Sequence, residues 1–596
     1  VSFEPRQQMI IDFDPKTGKL LIRCPFWAND MLNNLPSKRW SKSQRAWSVV
    51  VIKQNMDAIR ELTRMGGVNT TSAARAAMDE YDERIAGMGK RGGVEFPPWY
   101  KFKTEPRKHQ RRALDKGYGL KAFGLFMDMQ TGKSKTVIDL VVAHRMQGET
   151  FGLLILVKRT LRRNWIIQLE THCPIPFSAH LPDTNKKRDF EKWLSKPHDF
   201  KVMIVGWESL SAGAMHEICK QFMRVTQRPS IAGDETSHIT NHKAIRSERA
   251  VELATMAEYK YALTGTPAVE GPLNLFMQFE FLDRNIIGIG DFYAFRNRYA
   301  IMGGYQREIR PGLKMATEVV GYQNLDELMN MIAPYTFQVL KKDAYDLPPK
   351  RYERREVQIS EKQRKMYDLI KKEGVLRIKG NDDMVLKNIL SVALRLHQVT
   401  GGYAVKGHEK KWMGKDGNPR VKMEYEPVEL IRPEENTKMA ELIEAVNDFK
   451  GRKQGLVWVV YTPEIMAICK LLRGMGLRIG ELHGGVPDSD RQPMVSAYER
   501  GDLDIIVGNA STGGMGYTMM ASEVNIFYNN TFKAIDRIQA EDRAYGDGQL
   551  KSGVWIDIVA EKTIDNTIMQ ALTMKMDLSD YVRHRIGEIT KLLDGE

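Results

Sequence analysis

The sequence predicts an α/β protein of two tandem parallel-sheet lobes behind a small N-terminal α+β domain. Three observations predict it. From Phe123 onward, short apolar runs alternate with amphipathic stretches, the rhythm of a doubly wound sheet. A second set of the same kind follows "DLPPK" (346–350), where two prolines break the chain. The first hundred residues lack that rhythm and read as a small β-rich unit.

In order along the chain, "KLLIRCPF" and "AWSVVVI" alternate like strands, and "MDAIRELTRM" reads as a helix, giving a domain over 1–70. The polar segment "TSAARAAMDEYDERIAGMGKRGG" reads as a connector, placed at 71–98. Lobe one is expected over 99–345. Its strands are "AFGLFMDM", "FGLLILV", "KVMIVGW" and "EYKYALTG", its first helix is "SKTVIDLVVAHRMQ", and a helical insertion is expected at about 272–342. Lobe two is expected over 346–596, with a helical insertion at about 355–400, then "GLVWVVY", "LRIGELHG", "DIIVGNAS", "VNIFYNN" and "GVWIDIVA", and C-terminal helices.

Composition narrows the function classes. No apolar run approaches the ~18 residues of a membrane span, and the start shows no signal-peptide pattern. Cys24, Cys173, Cys219 and Cys469 stand far apart with no C-x-x-C pair, which argues against a zinc knuckle or a disulfide framework and fits an intracellular setting. The 89 Lys and Arg exceed the 75 Asp and Glu, a formal charge of +14 that favours phosphate polyanions. The excess is concentrated: "KFKTEPRKHQRR" precedes the first lobe-one strand, and "KRTLRRNW" places Lys158, Arg159, Arg162 and Arg163 after its second.

"MDMQTGKSKT" joins a strand to a helix. A nucleotide loop there needs backbone N–H groups facing the phosphates and a helix N-terminus that favours negative charge. The usual first glycine is replaced by Met127, but Gly132 allows close backbone approach, Lys133 reaches the β- and γ-phosphates, and the Ser134 hydroxyl suits Mg²⁺. Gln130 and Thr131 can still form the tight turn. Downstream, "PSIAGDETSHIT" supplies Asp234 to hold Mg²⁺ and Glu235 to activate the attacking water.

Taken in order, these segments resemble the Swi/Snf-type double-stranded DNA translocases of helicase superfamily two. "EPRKHQRRAL" is similar to that family's opening motif, "MDMQTGKSKT" to motif I, "DETS" to motif II and "LTGTPAVEGPLNLFMQFEFL" to its Leu-Thr-Gly-Thr-Pro segment. "TFQVLKKDAYDLPPK" resembles the stretch that closes lobe one. In lobe two, "LHGGVPDSDRQPMVSAYERG", "NASTGGMGYTMMASEVNIFYNN" and "QAEDRAYGDGQ" follow in the family's order. The resemblance implies two RecA-like lobes, ATP and Mg²⁺ as cofactors, and double-stranded or branched DNA as partner. It adds Gln110, which would read adenine, with Thr131, Lys135 and Gly516, to the nucleotide-contacting set, and Gln539 and Arg543 to the catalytic set. For DNA it implies Lys158, Arg159, Thr160, Arg162, Arg163, Thr264 and Thr266 in lobe one, and Arg491, Ser511, Thr512 and Gly513 in lobe two.

Two departures stand out. Motif II usually reads D-E-x-H, and here Ser237 fills the fourth place; His238, one residue on, reads as structural. Motif VI has Gln539 and Arg543, but Gly546 stands where a second arginine belongs. Such arginines neutralise charge developing on the γ-phosphate, and one can be worth ~10³–10⁵ in rate. Trp165 and Trp207 read as core residues rather than base-stacking ones. The stretch "LPSKRWSKSQRAWSVVV", with Trp40 and Trp47 among Lys38, Arg39, Lys42 and Arg45, resembles the small HARP domain of the annealing helicases in this family. A role in reannealing or remodelling forked or branched DNA follows from that likeness. The alternatives are an ATP-driven remodeller of a protein–DNA complex such as stalled RNA polymerase, and a nucleotide-dependent DNA clamp with hydrolysis impaired at Gly546. A replication, repair or transcription protein is a possible partner. The expected setting is the cytoplasm of a bacterium or virus-infected cell, or the nucleus if the source is eukaryotic.

Overall fold

A computed structural model describes residues 8–15, 19–25, 32, 35, 38–64, 67–88, 94–198, 200–268, 271–310, 313–378, 385–413, 419–451, 454–510, 517–546 and 552–574. The chain divides into two compact units, Val1–Ala344 and Tyr345–Glu596.

The first unit begins with a sheet of five strands: β1 (Met9–Asp14), β2 (Lys19–Arg23), β3 (Arg39–Ser41), β4 (Ala46–Val50) and β5 (Val68–Thr70), in the order β3-β4-β2-β1-β5. Helix α1 (Lys53–Arg64) buries Met56, Ile59 and Leu62 against Ile11, Leu20 and Ile22, the apolar positions of the alternating strands. The segment expected as a connector differs from expectation. Its Ser72–Met88 portion is a helix, α2, and Ala74 and Tyr81 at its i and i+7 positions enter the same core. The alanines and charges read as a linker, while the helical period hid in so polar a stretch.

Lobe one is a seven-stranded sheet of β6 (Ala122–Met127), β7 (Gly152–Val157), β8 (Ser178–His180), β9 (Lys201–Gly206), β10 (Ser230–Asp234), β11 (Tyr259–Leu263) and β14 (Thr336–Val339), ordered β14-β6-β11-β10-β7-β9-β8. The pairings are parallel. Every residue of β6 and β7 is buried, as strands covered by helices on both faces require. Registers fix what meets at the carboxyl edge. Val339 pairs with Met127, Leu125 with Leu263, Leu263 with Asp234, Leu156 with Gly233, and Val157 with Gly206. The segments that follow these strands are the predicted motifs, and ligands of open α/β sheets bind at this edge. The region expected as a helical insertion is not helical throughout: the hairpin β12 (Ala300–Arg310) and β13 (Leu313–Tyr322) and the sheet strand β14 lie within it.

Lobe two has the order β15-β22-β21-β18-β20-β19, with β15 (Arg351–Val357), β18 (Gln454–Val459), β19 (Ile479–Leu482), β20 (Ile505–Asn509), β21 (Ser522–Phe527) and β22 (Val554–Ala560). The expected insertion contributes helices Glu361–Ile378 and Val385–Gly401, and an unexpected hairpin of β16 (Tyr403–Met413) and β17 (Pro419–Glu429) follows them.

A buried polar cluster ties this lobe's helices together. Lys438 donates to Asp565 (2.8 Å), Asp565 accepts from Thr400 (3.0 Å), and Asn529 donates to Glu464 (2.6 Å). Burial pushes Glu464 up to about 8 and holds His397 down to about 4. Burial also acts to raise Asp565, but the adjacent Lys438 ammonium outweighs it and the pKa stays low. Because Glu464 is raised on folding, its contribution to stability is full below about 4.3 and is lost as pH climbs through about 8. Glu464→Gln keeps the shape and removes the proton, so lobe two of the variant should exceed wild type in stability by about 1 kcal/mol or more at pH 8.5. The check is the difference in Tm between variant and wild type at pH 6 and 8.5, which should widen with pH.

Candidate nucleotide and nucleic-acid site

Helix α3 (Lys108–Gly117) approaches the loop from outside the sheet, and α4 (Lys133–Met146) leaves it. Between β6 and α4, Gln130 has φ of 63° and Gly132 a φ of 87°. Gly132 serves as the helix N-cap in the left-handed region, where a Cβ would collide with the Gln110 amide. Left-handed residues set among ordinary ones turn neighbouring N–H groups toward one concavity. The loop is braced from three sides. Asp128 accepts the Lys341 N–H (2.7 Å) and donates its own N–H to Val339 (3.0 Å). Gly265 packs on Met127 and Met129, where a Cβ would sit 3.4 Å from the Met127 carbonyl oxygen. The Thr131 carbonyl accepts from Gln110 Nε2 (3.1 Å) and from His109 Nε2 (2.8 Å). A carbonyl only accepts, so that imidazole nitrogen carries the hydrogen.

Lys133 Nζ donates to Met127 O (2.7 Å) and Asp128 O (3.1 Å), which holds the ammonium over the loop. Ser134 lies beside it in the first turn. Asp234 ends β10, and its Oδ2 accepts the Trp165 indole N–H (2.8 Å), while Trp207 donates its indole N–H to the Asp234 main-chain carbonyl (2.7 Å). Burial, and next the Glu235 carboxylate, push Asp234 up to about 6, against the pull of the Trp165 donor and the Lys133 ammonium. Glu235 sits at a φ of 58° and accepts from Thr264 Oγ1 (3.0 Å) and Ser237 Oγ (3.3 Å). A strained non-glycine backbone held by its surroundings aims a side chain.

The structure revises several assignments. The Lys135 ammonium is buried, 2.6 Å from Asp139, so its side chain does not face the loop's concavity. Thr264 is fully buried and its hydroxyl donates to Glu235. Gln110 uses both ends of its amide, Oε1 accepting from Arg107 N (2.9 Å), and so braces the loop. Burial holds His238 below the usual imidazole range, in keeping with a structural residue.

The basic segment follows β7 at the same edge. Arg159 and Arg163 are exposed, Lys158, Thr160 and Arg162 half-buried, and α5 (Arg162–His172) starts there. The Thr160 and Thr266 hydroxyls are buried without a hydrogen-bond partner among the described residues. In lobe two, Arg491 turns back onto the His483 and Gly484 carbonyls (3.3 and 3.4 Å) and braces that turn, so it is not a free phosphate contact. Ser511, Thr512, Gly513 and Gly516 lie outside the described residues. Gln539 and Arg543 lie on the helix Ala534–Arg543, with Arg543 buried. Arg537, the other arginine of this helix, is committed to Asp557 and Glu541 and lies on the Phe527 ring.

Trp165, Trp207 and His109 carry polar contacts to the site that the sequence did not assign. The available signal was that a buried indole N–H needs an acceptor; Trp207 directly follows β9, and Trp165 lies on the first turn of the helix after β7.

The family model described as the SNF2-related domain matches residues 109–401, and the helicase conserved C-terminal domain matches 437–548. A putative ATP-dependent helicase/translocase from Bacillus subtilis is 23% identical over 503 residues, 82% of this chain and 50% of that protein. A homologue of the SWI/SNF-related matrix-associated actin-dependent regulator of chromatin subfamily A-like protein 1 from Caenorhabditis elegans is 22% identical over 93% of this chain and 72% of its own. The SWI2/SNF2 ATPase core of Sulfolobus solfataricus in complex with dsDNA aligns over 83% of this chain and 97% of that one, at 18% identity and a TM-score of 0.35. The chain belongs to the SNF2-related family of ATP-dependent helicase-type proteins, in superfamily two. It spans about half the length of several of the relatives it matches.

Proposed function

We propose that the chain is a DNA-dependent ATPase that translocates on double-stranded DNA and remodels or reanneals forked or branched DNA. The observation that carries this is the strand register of lobe one. It gathers the Gly132–Lys133–Ser134 loop, Asp234, Glu235 and Thr264 at one edge, with the basic segment 158–163 after β7, the strand next to β10. The donor set fits a nucleotide triphosphate with Mg²⁺: a left-handed glycine cradle, an ammonium held over it, and a buried carboxylate at the end of β10. Bound Mg²⁺ would supply neutralisation of charge on the phosphates. Ser134 and Asp234 would hold it, Lys133 would orient the β- and γ-phosphates, Thr131 and Gly132 would shape the cradle, and Glu235 would accept the proton of the attacking water. Gln539 and Arg543 are lobe two's contribution to hydrolysis, and Ser511, Thr512, Gly513 and Gly516 belong to its DNA- and nucleotide-contacting segment.

On the DNA side, Lys158, Arg159, Arg162, Arg163, Thr160 and Thr266 hold phosphates without reading bases, so binding is salt-sensitive and sequence-blind. In the N-terminal domain Trp47 packs against the core while Trp40 does not. Trp40 is 51% exposed on the edge strand β3, edge-to-face with Trp47 at 5.4 Å, and Lys38 lies over the Trp47 ring. This exposed aromatic and basic face supports a preference for branched DNA. ATP hydrolysis measured with linear, forked and single-stranded DNA tests the reading: forked DNA should stimulate most, and absence of stimulation by any duplex refutes it.

A second reading, a nucleotide-dependent clamp, is favoured by Gly546 together with the commitment of Arg537. Gly546→Arg is then expected to raise the DNA-stimulated rate by about tenfold or more. An unchanged steady-state rate in that variant removes this reading.

A further inference from the structure

The family's usual motif II histidine is absent, and Ser237 stands in its place with its hydroxyl turned to Glu235. Another connection between the basic segment and the hydrolytic cluster is present. Trp165 lies on the first turn of α5, two residues beyond Arg163, and is 1% exposed. Its Nε1 is 2.8 Å from Asp234 Oδ2. A short rigid helix therefore bears phosphate-seeking cations at its mouth and a hydrogen bond to the Mg²⁺-site carboxylate at its flank. The Asp234 backbone is held separately. Trp207 donates to its main-chain carbonyl and packs against Gly233, and the next residue, Glu208, accepts the Arg159 N–H (3.1 Å). With the main chain fixed, the freedom left to Asp234 is rotation of its carboxylate, and the Trp165 donor sets that rotation.

We propose that Trp165 is a positioning residue that couples DNA binding to the nucleotide site. A shift of α5 as its cations engage phosphate displaces the indole N–H and re-aims the Asp234 carboxylate toward Mg²⁺. The inference rests on the ATP- and DNA-binding reading above. Coupling is reciprocal, so bound Mg²⁺-nucleotide also changes the grip of α5 on DNA. Phenylalanine at 165 keeps most of the ring and loses the donor.

Equilibrium coupling tests this without turnover. Affinity of the full chain for a fluorescent duplex is measured with and without Mg²⁺ and a non-hydrolysable ATP analogue, in wild type, Trp165→Phe and Trp207→Phe. The wild-type affinity should change between nucleotide states by about 5–150-fold. Trp165→Phe should bring that change below about twofold, with each ligand alone bound within about threefold of wild type. Trp207→Phe, which loses a donor to the main chain only, should keep the wild-type change. Retained coupling in Trp165→Phe, or equal loss in Trp207→Phe, overturns the proposal. Wild type that binds both ligands with no coupling overturns it while leaving the functional reading intact; wild type that binds neither ligand sinks that reading itself. Should Trp165→Phe fail to fold, the indole N–H resonance of Trp165 in ¹⁵N-tryptophan-labelled wild type decides. It moves on adding duplex alone if the coupling exists, and a stationary resonance overturns it.

Discussion

Lys133→Ala is expected to lower DNA-stimulated ATP hydrolysis by at least about 10²–10³-fold, the loss typical of removing one donor aimed at developing charge. Folding should be nearly untouched. Lys133 opens α4, alanine is the better helix former, and the side chain contributes two hydrogen bonds to loop carbonyls rather than packing. A second consequence separates this lysine from a generic phosphate contact. Its charge is among the influences that pull Asp234 down, against burial and Glu235, to about 6. Without it the carboxylate rises further, so protons compete better with Mg²⁺ near neutral pH. The Mg²⁺ concentration for half-maximal residual activity should therefore increase in the variant, and more so at pH 6.5 than at pH 8. Steady-state ATPase against Mg²⁺ at the two pH values measures both effects. A variant with near-wild-type turnover would remove Lys133 from the site.

How much of this was legible in the sequence depends on what each feature rests on. Strands β6, β7 and β9 announce themselves because buried parallel strands are largely unbroken apolar runs, and the loop shows itself through Gly132, Lys133 and Ser134 in local order. Strand order is another matter. That β10 lies between β7 and β11, bringing Trp165 to Asp234, depends on pairings among residues about seventy apart, which no local pattern encodes. Lys135 misled for the opposite reason. It is adjacent in sequence to the phosphate-facing residues, but the helical turn of about 100° per residue carries it to the buried side beside Asp139. Thr264 follows β11 directly, yet nothing local in the sequence says that its hydroxyl faces Glu235. The β12–β13 and β16–β17 hairpins escaped because charged, poorly alternating stretches carry little strand signal.

Glu235→Gln separates binding from chemistry. Glutamine matches glutamate in shape, and its carbonyl oxygen can still accept from Thr264 Oγ1 and Ser237 Oγ, so the left-handed turn at 235 keeps the contacts that hold it. What it loses is the ability to take a proton from water. General-base assistance is worth ~10²–10⁴ in rate, and the expected fall in kcat lies in that range, with ATP affinity within a few-fold of wild type. Removing a neighbouring negative charge should also lower the Asp234 pKa, since Glu235 is the second-largest influence raising it. Mg²⁺ then meets less proton competition, the opposite direction to Lys133→Ala. The two variants thus share a loss of turnover but diverge in Mg²⁺ requirement, a contrast that a merely unfolded or distorted edge would not produce. Single-turnover hydrolysis together with equilibrium binding of a fluorescent ATP analogue across Mg²⁺ concentrations reads both quantities. Turnover within threefold of wild type would assign the water-activating role to another group, and a raised Mg²⁺ requirement would contradict the electrostatic pairing of Asp234 and Glu235.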